Sequence, residues 1–204
     1  MDTSLSVWLE ITGQWGADRS DCVAVYRHLL TAYSAKGRYY HDLTHIEHMF
    51  EVANDVVDQI QDDDAMFFAI WFHDAIQLEG KDSEGLSSEL AVCELGSLGI
   101  PQSILTSVTD LILATKHNNV EVNGDIALFL DIDLSVLSSN RKQYQKYADG
   151  CRKEYRVPNF IYRYGRKRFL QDLIGRMFIF NTKLFQSKSE LSARENIEWE
   201  LQRL

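Results

Sequence analysis

Ala65-Met66-Phe67-Phe68-Ala69-Ile70-Trp71-Phe72-His73-Asp74-Ala75-Ile76 is the stretch on which the fold turns. Its first eight residues are the longest unbroken apolar run in the chain. Apolar on nearly every side, it reads as a central buried helix. A membrane span needs about 20 such residues, so the run is expected to sit in a protein core rather than in a bilayer. Outward from it, apolar residues recur at steps of three and four, the helical period. Leu5, Trp8, Leu9 and Thr12 form one stripe; Cys22, Val25, Tyr26, Leu29 and Tyr33 a second; Ile46, Met49, Ala53, Val56 and Ile60 a third. Beyond the run come Leu86, Leu90 and Cys93, then Ile104, Leu105, Val108, Leu111 and Ile112, then Ile126, Leu130, Leu134 and Leu137. Tyr144, Tyr147, Cys151 and Tyr155 follow, and after them Phe169, Leu170, Leu173, Met177 and Phe180. The only prolines, Pro101 and Pro158, fall between stripes and mark helix boundaries. No sustained strand-type alternation interrupts the pattern. The expectation is an all-α helical bundle of about nine or ten helices, one domain over 1–204 with a basic helical extension over about 141–204.

The 204 residues are 45% apolar and 25% charged, in the range of a globular protein. With 21 Lys+Arg against 30 Asp+Glu the formal net charge is −9, which argues against a long nucleic acid as partner. Cys22, Cys93 and Cys151 are widely spaced, with no Cys-x-x-Cys pair. They read as reduced thiols of a cytoplasmic protein, as does a start, Met1-Asp2-Thr3-Ser4, without a leader pattern. No membrane association is expected, and a monomer or a homodimer fits equally well.

Three of the six histidines fall within eight residues, Tyr40-His41-Asp42-Leu43-Thr44-His45-Ile46-Glu47-His48. Thr44 and Glu47 have capping-box spacing, which predicts a helix starting at Thr44 with His45 in its first turn and His41 in the preceding loop. His73-Asp74 closes the apolar run, where a charged pair is costly unless it is partnered or binds metal. Phe129-Leu130-Asp131-Ile132-Asp133-Leu134-Ser135 sets two carboxylates in another apolar stripe. Residues two apart on a helix point about 200° apart. Asp133 keeps step with Leu130 and Leu137 and is the inward candidate, leaving Asp131 as a partner or a solvated residue. Two imidazoles and two carboxylates suit a divalent transition metal, with room for water. Such an ion lowers the pKa of bound water and polarises a phosphoryl oxygen.

The order His45, His73-Asp74, Asp133 resembles the His…His-Asp…Asp signature of the HD-domain superfamily of metal-dependent phosphohydrolases. Tyr40-His41-Asp42-Leu43-Thr44-His45 is similar to the Tyr-His-Asn-x-x-His of cyclic-nucleotide phosphodiesterases, which share that fold, and Asp133-Leu134-Ser135 to their last metal-binding segment. Nearly the whole chain resembles a small bacterial subfamily of HD phosphohydrolases, through Arg38 to Ile46, Phe129 to Ser135 and Tyr162-Arg163-Tyr164-Gly165-Arg166; the motif core covers about 38–137. Asp42 stands where Asn is usual, and Gln77-Leu78 and Ser83-Glu84 where Tyr-Asp and Asn-Glu are usual. The resemblance implies His45, His73, Asp74 and Asp133 as ligands of a divalent ion (Mn, Mg, Co, Ni, Zn or Fe). It further implies that Asp74 orients an attacking water and that His41 protonates the leaving group. The implied substrate is a small phosphate ester, with a nucleotide in view. An HD-fold di-iron oxygenase or a non-catalytic nucleotide sensor are the alternatives.

His117, beside Lys116 at the end of a helix begun near Gln102, is a further candidate, as a substrate contact or an extra metal ligand. His48 and His28 read as structural. Between Arg141 and Arg168 lie ten Lys/Arg and two acidic residues, a local net of +8 against −17 elsewhere, with five tyrosines interleaved. The reading is a phosphate-binding wall whose tyrosines stack on a base. Arg163, Arg166 and Arg38 are its substrate-binding candidates, with Lys116.

Overall fold

A computed structural model describes residues 1–78, 81–116 and 122–204. Every regular element among the described residues is helical: α1 Leu5–Gly13, α2 Arg19–Tyr33, α3 Leu43–Asn54, α4 Asp63–Phe72, α5 Ser83–Ser97, α6 Gln102–Ala114, α7 Gly124–Asp133, α8 Arg141–Glu154, α9 Asn159–Gly175, α10 Lys183–Lys188 and α11 Glu190–Leu201. Short 3₁₀ turns cover Val57–Gln59 and Leu134–Ser138. Eleven α-helices is close to the nine or ten expected. None is long and apolar enough to cross a membrane.

The helix starts follow local chemistry. Asp18, Asp42, Asp62 and Asp82 each accept a hydrogen bond from a first-turn backbone N–H, satisfying a donor the helix itself cannot pair. The cap of α3 is therefore Asp42 rather than Thr44. Its Oδ1 takes both the Thr44 N–H (2.9 Å) and the Thr44 hydroxyl (2.6 Å), which engages the group a capping box would need. Both proline boundaries hold, with α6 beginning after Pro101 and α9 after Pro158. The turn before Pro101 needs a glycine, since Gly99 has φ +78°.

The apolar run is the centre. Ala65–Phe72 are fully buried in α4, which packs on α3, α5 and α6. Trp8 of α1 meets Trp71 edge-on at 6.0 Å, and Phe50 of α3 lies 5.3 Å from Phe67. Each large side chain buried here is worth about 1.5–3 kcal/mol. The contiguous cluster of buried apolar residues extends from Trp8 to Ile197.

Two stripes depart from expectation. In α5 the buried residues are Ser87, Ser88, Ala91 and Leu95, while Cys93 is exposed. The small residues let α5 lie close, and Ser87 Oγ bonds to the Ile76 backbone N–H (3.0 Å), so polarity did not keep that face outside. In the last stripe α9 stops at Gly175, which leaves Met177 in a bend and exposed while Leu170 and Leu173 are buried.

Asp131 is neither solvated nor part of the site. It is fully buried and accepts from Asn181 N (2.6 Å) and Nδ2 (3.0 Å) and from Thr182 N and Oγ1 (both 2.7 Å). The carboxylate anchors the segment leading into α10. The α7 helix is buried on both faces, so its two aspartates serve different neighbours. Asp131→Ala leaves these donors unpaired and is expected to cost about 2–3 kcal/mol in urea unfolding, with bound metal unchanged.

Candidate metal centre

Helix ends and the loop before α3 converge on one point. His45 stands in the first turn of α3, His73 and Asp74 follow the last residue of α4, and Asp133 is the last residue of α7. Helix packing thus brings together residues 28 to 88 positions apart in sequence. The Nε2 atoms of His45 and His73 are 3.2 Å apart. Asp74 Oδ2 lies 3.2 Å from His73 Nε2 and 3.9 Å from His45 Nε2. Asp133 Oδ1 lies 3.4 Å from His45 Nε2 and 3.9 Å from His73 Nε2.

His45, His73 and Asp74 offer ligand atoms all within 4.8 Å of one another and could hold a metal ion. Donor chemistry supports the fit. His73 Nδ1 donates to the Ile70 carbonyl (3.0 Å), so in the neutral ring the Nε2 lone pair faces the cluster. The Nε2 atoms of His45 and His73 and the carboxylates of Asp74 and Asp133, gathered this closely, call for a cation or a proton among them. Ligands about 2.1 Å from a common ion stand about 3.0 Å apart at right angles and about 4.2 Å apart when opposite, and the His45, His73 and Asp74 atoms, 3.2 to 3.9 Å apart, fall in that range.

Protons fill that role when no metal does. Burial alone would lower the His73 pKa, but the charges of Asp74 and Asp133 reverse this and lift it to about 9. Burial dominates at His45 and lowers its pKa despite Asp133. Burial opposes ionisation of Asp74, yet His73 and His41 hold it well below the usual carboxylate range. Asp133 is lowered likewise, through His45 and His73 against burial.

His41 lies beside this group, with Nε2 3.9 Å from Asp74 Oδ2. Its partner is a residue the sequence reading missed. Glu154, the last residue of α8, accepts from His41 Nδ1 through Oε2 (2.6 Å). Through Oε1 it accepts from the backbone N–H groups of Tyr39 (2.7 Å), Tyr40 (2.8 Å) and His41 (3.0 Å). One carboxylate therefore holds both the ring and the loop that carries it. Burial tends to lower the His41 pKa, and Asp74 and Glu154 together raise it above 6.5. Burial tends to raise that of Glu154, and the His41 contact and the loop N–H groups bring it down to about 2. Gly150 makes the approach of α8 feasible, since a Cβ there would stand 2.8 Å from the Tyr39 carbonyl oxygen. The one available signal was Glu154's place as one of only two acids in the basic run.

The other sequence candidates are placed differently. Arg38 donates to the backbone carbonyls of His41 (2.8 Å), Asp74 (2.7 Å) and Ala75 (2.8 Å). It clamps the His41 loop to the end of α4, a structural task in place of the substrate contact expected. Arg166 is buried, with Nε 2.8 Å and Nη2 3.0 Å from the carboxylate of Glu200 and Nη1 3.0 Å from the Tyr147 hydroxyl. Arg163 donates to the Leu204 carbonyl, and Lys116 pairs with Asp82 at 2.7 Å. His48 Nε2 is hydrogen-bonded to Ser135 Oγ (3.0 Å), and His28 pairs with Glu94, both structural contacts as expected. His117 lies outside the described residues.

A cavity of about 560 Å³ opens beside the cluster, lined by His41 and Asp133 together with residues of the 3₁₀ turn Leu134–Ser138, α8 and α9. Of the ten Lys/Arg in the basic run only Arg166 lines it. Compared with known proteins, the chain matches no family model, no curated protein and no solved structure.

Proposed function

We propose that the chain is an HD-type metal-dependent phosphohydrolase that cleaves a small phosphate ester. The observation that carries this reading is the juxtaposition of a His45, His73, Asp74 group able to hold a metal with a histidine–glutamate pair 3.9 Å away. In this reading Asp133 completes the ligand set. A divalent ion held there supplies a Lewis acid for a phosphoryl oxygen and acidifies water. Asp74, kept ionised by its histidines, accepts a hydrogen bond from the attacking water and fixes its approach to phosphorus. His41 keeps one proton on Nδ1 for Glu154 and carries a second on Nε2, which faces the cluster and passes to the leaving oxygen. Tyr40, 4.8 Å from the His41 ring and 4.9 Å from the His45 ring, packs between the acid and the ligand and limits their relative motion.

The nucleotide form of the reading has less support than the phosphate-ester form, because the basic run turns almost all of its charge away from the cavity. A di-iron oxygenase needs further histidine ligands, and His48 is engaged with Ser135. A non-catalytic sensor would leave the His41–Glu154 pair without a task.

The test is a screen of phosphomonoesters and diesters with protein loaded in turn with Mn, Mg, Co, Ni, Zn and Fe. Turnover abolished by chelator is the expected result. A folded, metal-loaded protein that leaves the whole panel intact overturns the proposal.

A further inference from the structure

The cavity beside the metal centre says more about the substrate than the centre does. Its volume, about 560 Å³, falls among small-molecule sites, which span about 300–1,000 Å³. His41 and Asp133 line it, so a molecule lying there reaches the reacting groups directly. Away from those two residues the lining is aromatic and aliphatic, with Leu134, Val136, Tyr147, Ile161 and Phe169 prominent.

The polar groups in the lining are largely committed. Arg166, the one cation of the basic run that reaches it, is held by both oxygens of Glu200 and by Tyr147, and lies over the Tyr147 ring at 4.9 Å and the Phe169 ring at 5.5 Å. Its charge is balanced within the protein, and its flat guanidinium is part of a stacked wall. Burial pushes the Cys151 thiol up to about 12, which keeps this wall residue neutral. A second phosphate or an acidic sugar would meet no unpaired cation among the described lining residues.

We infer that the cavity takes the uncharged, aromatic or apolar body of a phosphate monoester, with its single phosphoryl group at the metal centre. The inference rests on the phosphohydrolase reading for the phosphoryl group, while the shape and chemistry of the body follow from the cavity alone. Such a ligand excludes nucleotides, whose polar ribose the largely aromatic and aliphatic wall would leave unpaired, and sugar phosphates as preferred substrates.

Gly165 supplies the test. It lines the cavity from α9, and a Cβ added there meets nothing within 4 Å, so a larger side chain can fill the space without displacing backbone. Replacing glycine within a helix also favours the helix. Two readouts are taken on the full chain, the wild type against Gly165→Trp, with metal stoichiometry confirming an intact centre. The first is calorimetric binding of 1-naphthol, which needs no catalysis. The second is kcat/KM for 1-naphthyl phosphate, glycerol 2-phosphate, AMP and ADP. The wild type is expected to bind naphthol, and Gly165→Trp to weaken that binding at least about tenfold, or 1.4 kcal/mol. The naphthyl ester is expected to be the best of the four substrates, with its lead over glycerol 2-phosphate reduced by Gly165→Trp. Naphthol binding sensitive to Gly165→Trp without turnover of any ester supports the cavity assignment and sinks the hydrolase reading instead. Turnover led by AMP, ADP or glycerol 2-phosphate, or naphthol binding indifferent to Gly165→Trp, overturns the inference while leaving the hydrolase reading in place.

Discussion

Asp74→Ala is expected to strip the protein of bound metal and to lower phosphoester hydrolysis by about 10³-fold or more. A metal's Lewis-acid contribution is several kcal/mol, and each 1.4 kcal/mol is a decade in rate. Asp74 is the one carboxylate in the tightest ligand group, and it also faces His41 and the attacking water in the proposed mechanism. Metal content after dialysis, read by elemental analysis, is the primary measurement. Circular dichroism should show an unchanged helical fold, because the Asp74 side chain sits beyond the end of α4 and α4 is held by its buried apolar side chains. Full metal occupancy in the folded variant would remove Asp74 from the ligand set.

The second large effect concerns the His41–Glu154 pair. His41→Ala is expected to lower kcat by about 10²–10³-fold for esters with poor leaving groups, the range for a lost general acid, with little change in KM. Glu154→Gln is milder, about 10- to 100-fold, but it carries a pH signature that a merely structural role would not produce. The carboxylate raises the His41 pKa, so its removal lowers that pKa, and the alkaline limb of the rate profile moves to lower pH. An alkaline limb that stays in place in Glu154→Gln would rule out this electrostatic role.

The same pair governs a pH-dependent part of stability. His41 has a folded pKa above its ordinary 6.5, so its contribution is complete below about 6.5 and fades as pH rises through the folded value. Glu154 has a folded pKa of about 2 against an ordinary 4.5, so its contribution is complete above about 4.5 and fades as pH falls toward 2. Between about pH 4.5 and 6.5 both are present. The stability gap between wild type and Glu154→Gln, read by urea unfolding, should be widest there and narrow on either side.

Several placements show what a chain's local pattern can and cannot reveal. The helical expectation succeeded because a stripe at 3.6-residue spacing is a property of neighbouring residues. His45, His73, Asp74 and Asp133 were legible for a related reason: polar residues set into apolar stripes stand out against their own helix. The α5 face was misjudged because helix packing there favours small residues over apolar ones, and Ser87 and Ser88 outweighed Cys93.

The long-range pairings decided the rest. Glu154 meets the His41 loop from 113 positions away, and Arg166 meets Glu200 across 34. Asp131 holds a segment 50 residues later, and Arg38 reaches the end of α4, 36 residues on. Taken alone, Arg38 and Arg166 are free cations near a histidine loop and in a basic run. Only the packing of α4, α8, α9 and α11 supplies the carbonyls and the carboxylate that occupy them. The sequence by itself determined an all-helical chain with a buried α4 and pointed to the His45, His73, Asp74 group that could hold a metal, since burial and periodicity are written locally. The tertiary structure alone decided which charges remain open to a ligand, because a charge is neutralised by whatever the fold sets against it, at any distance along the chain.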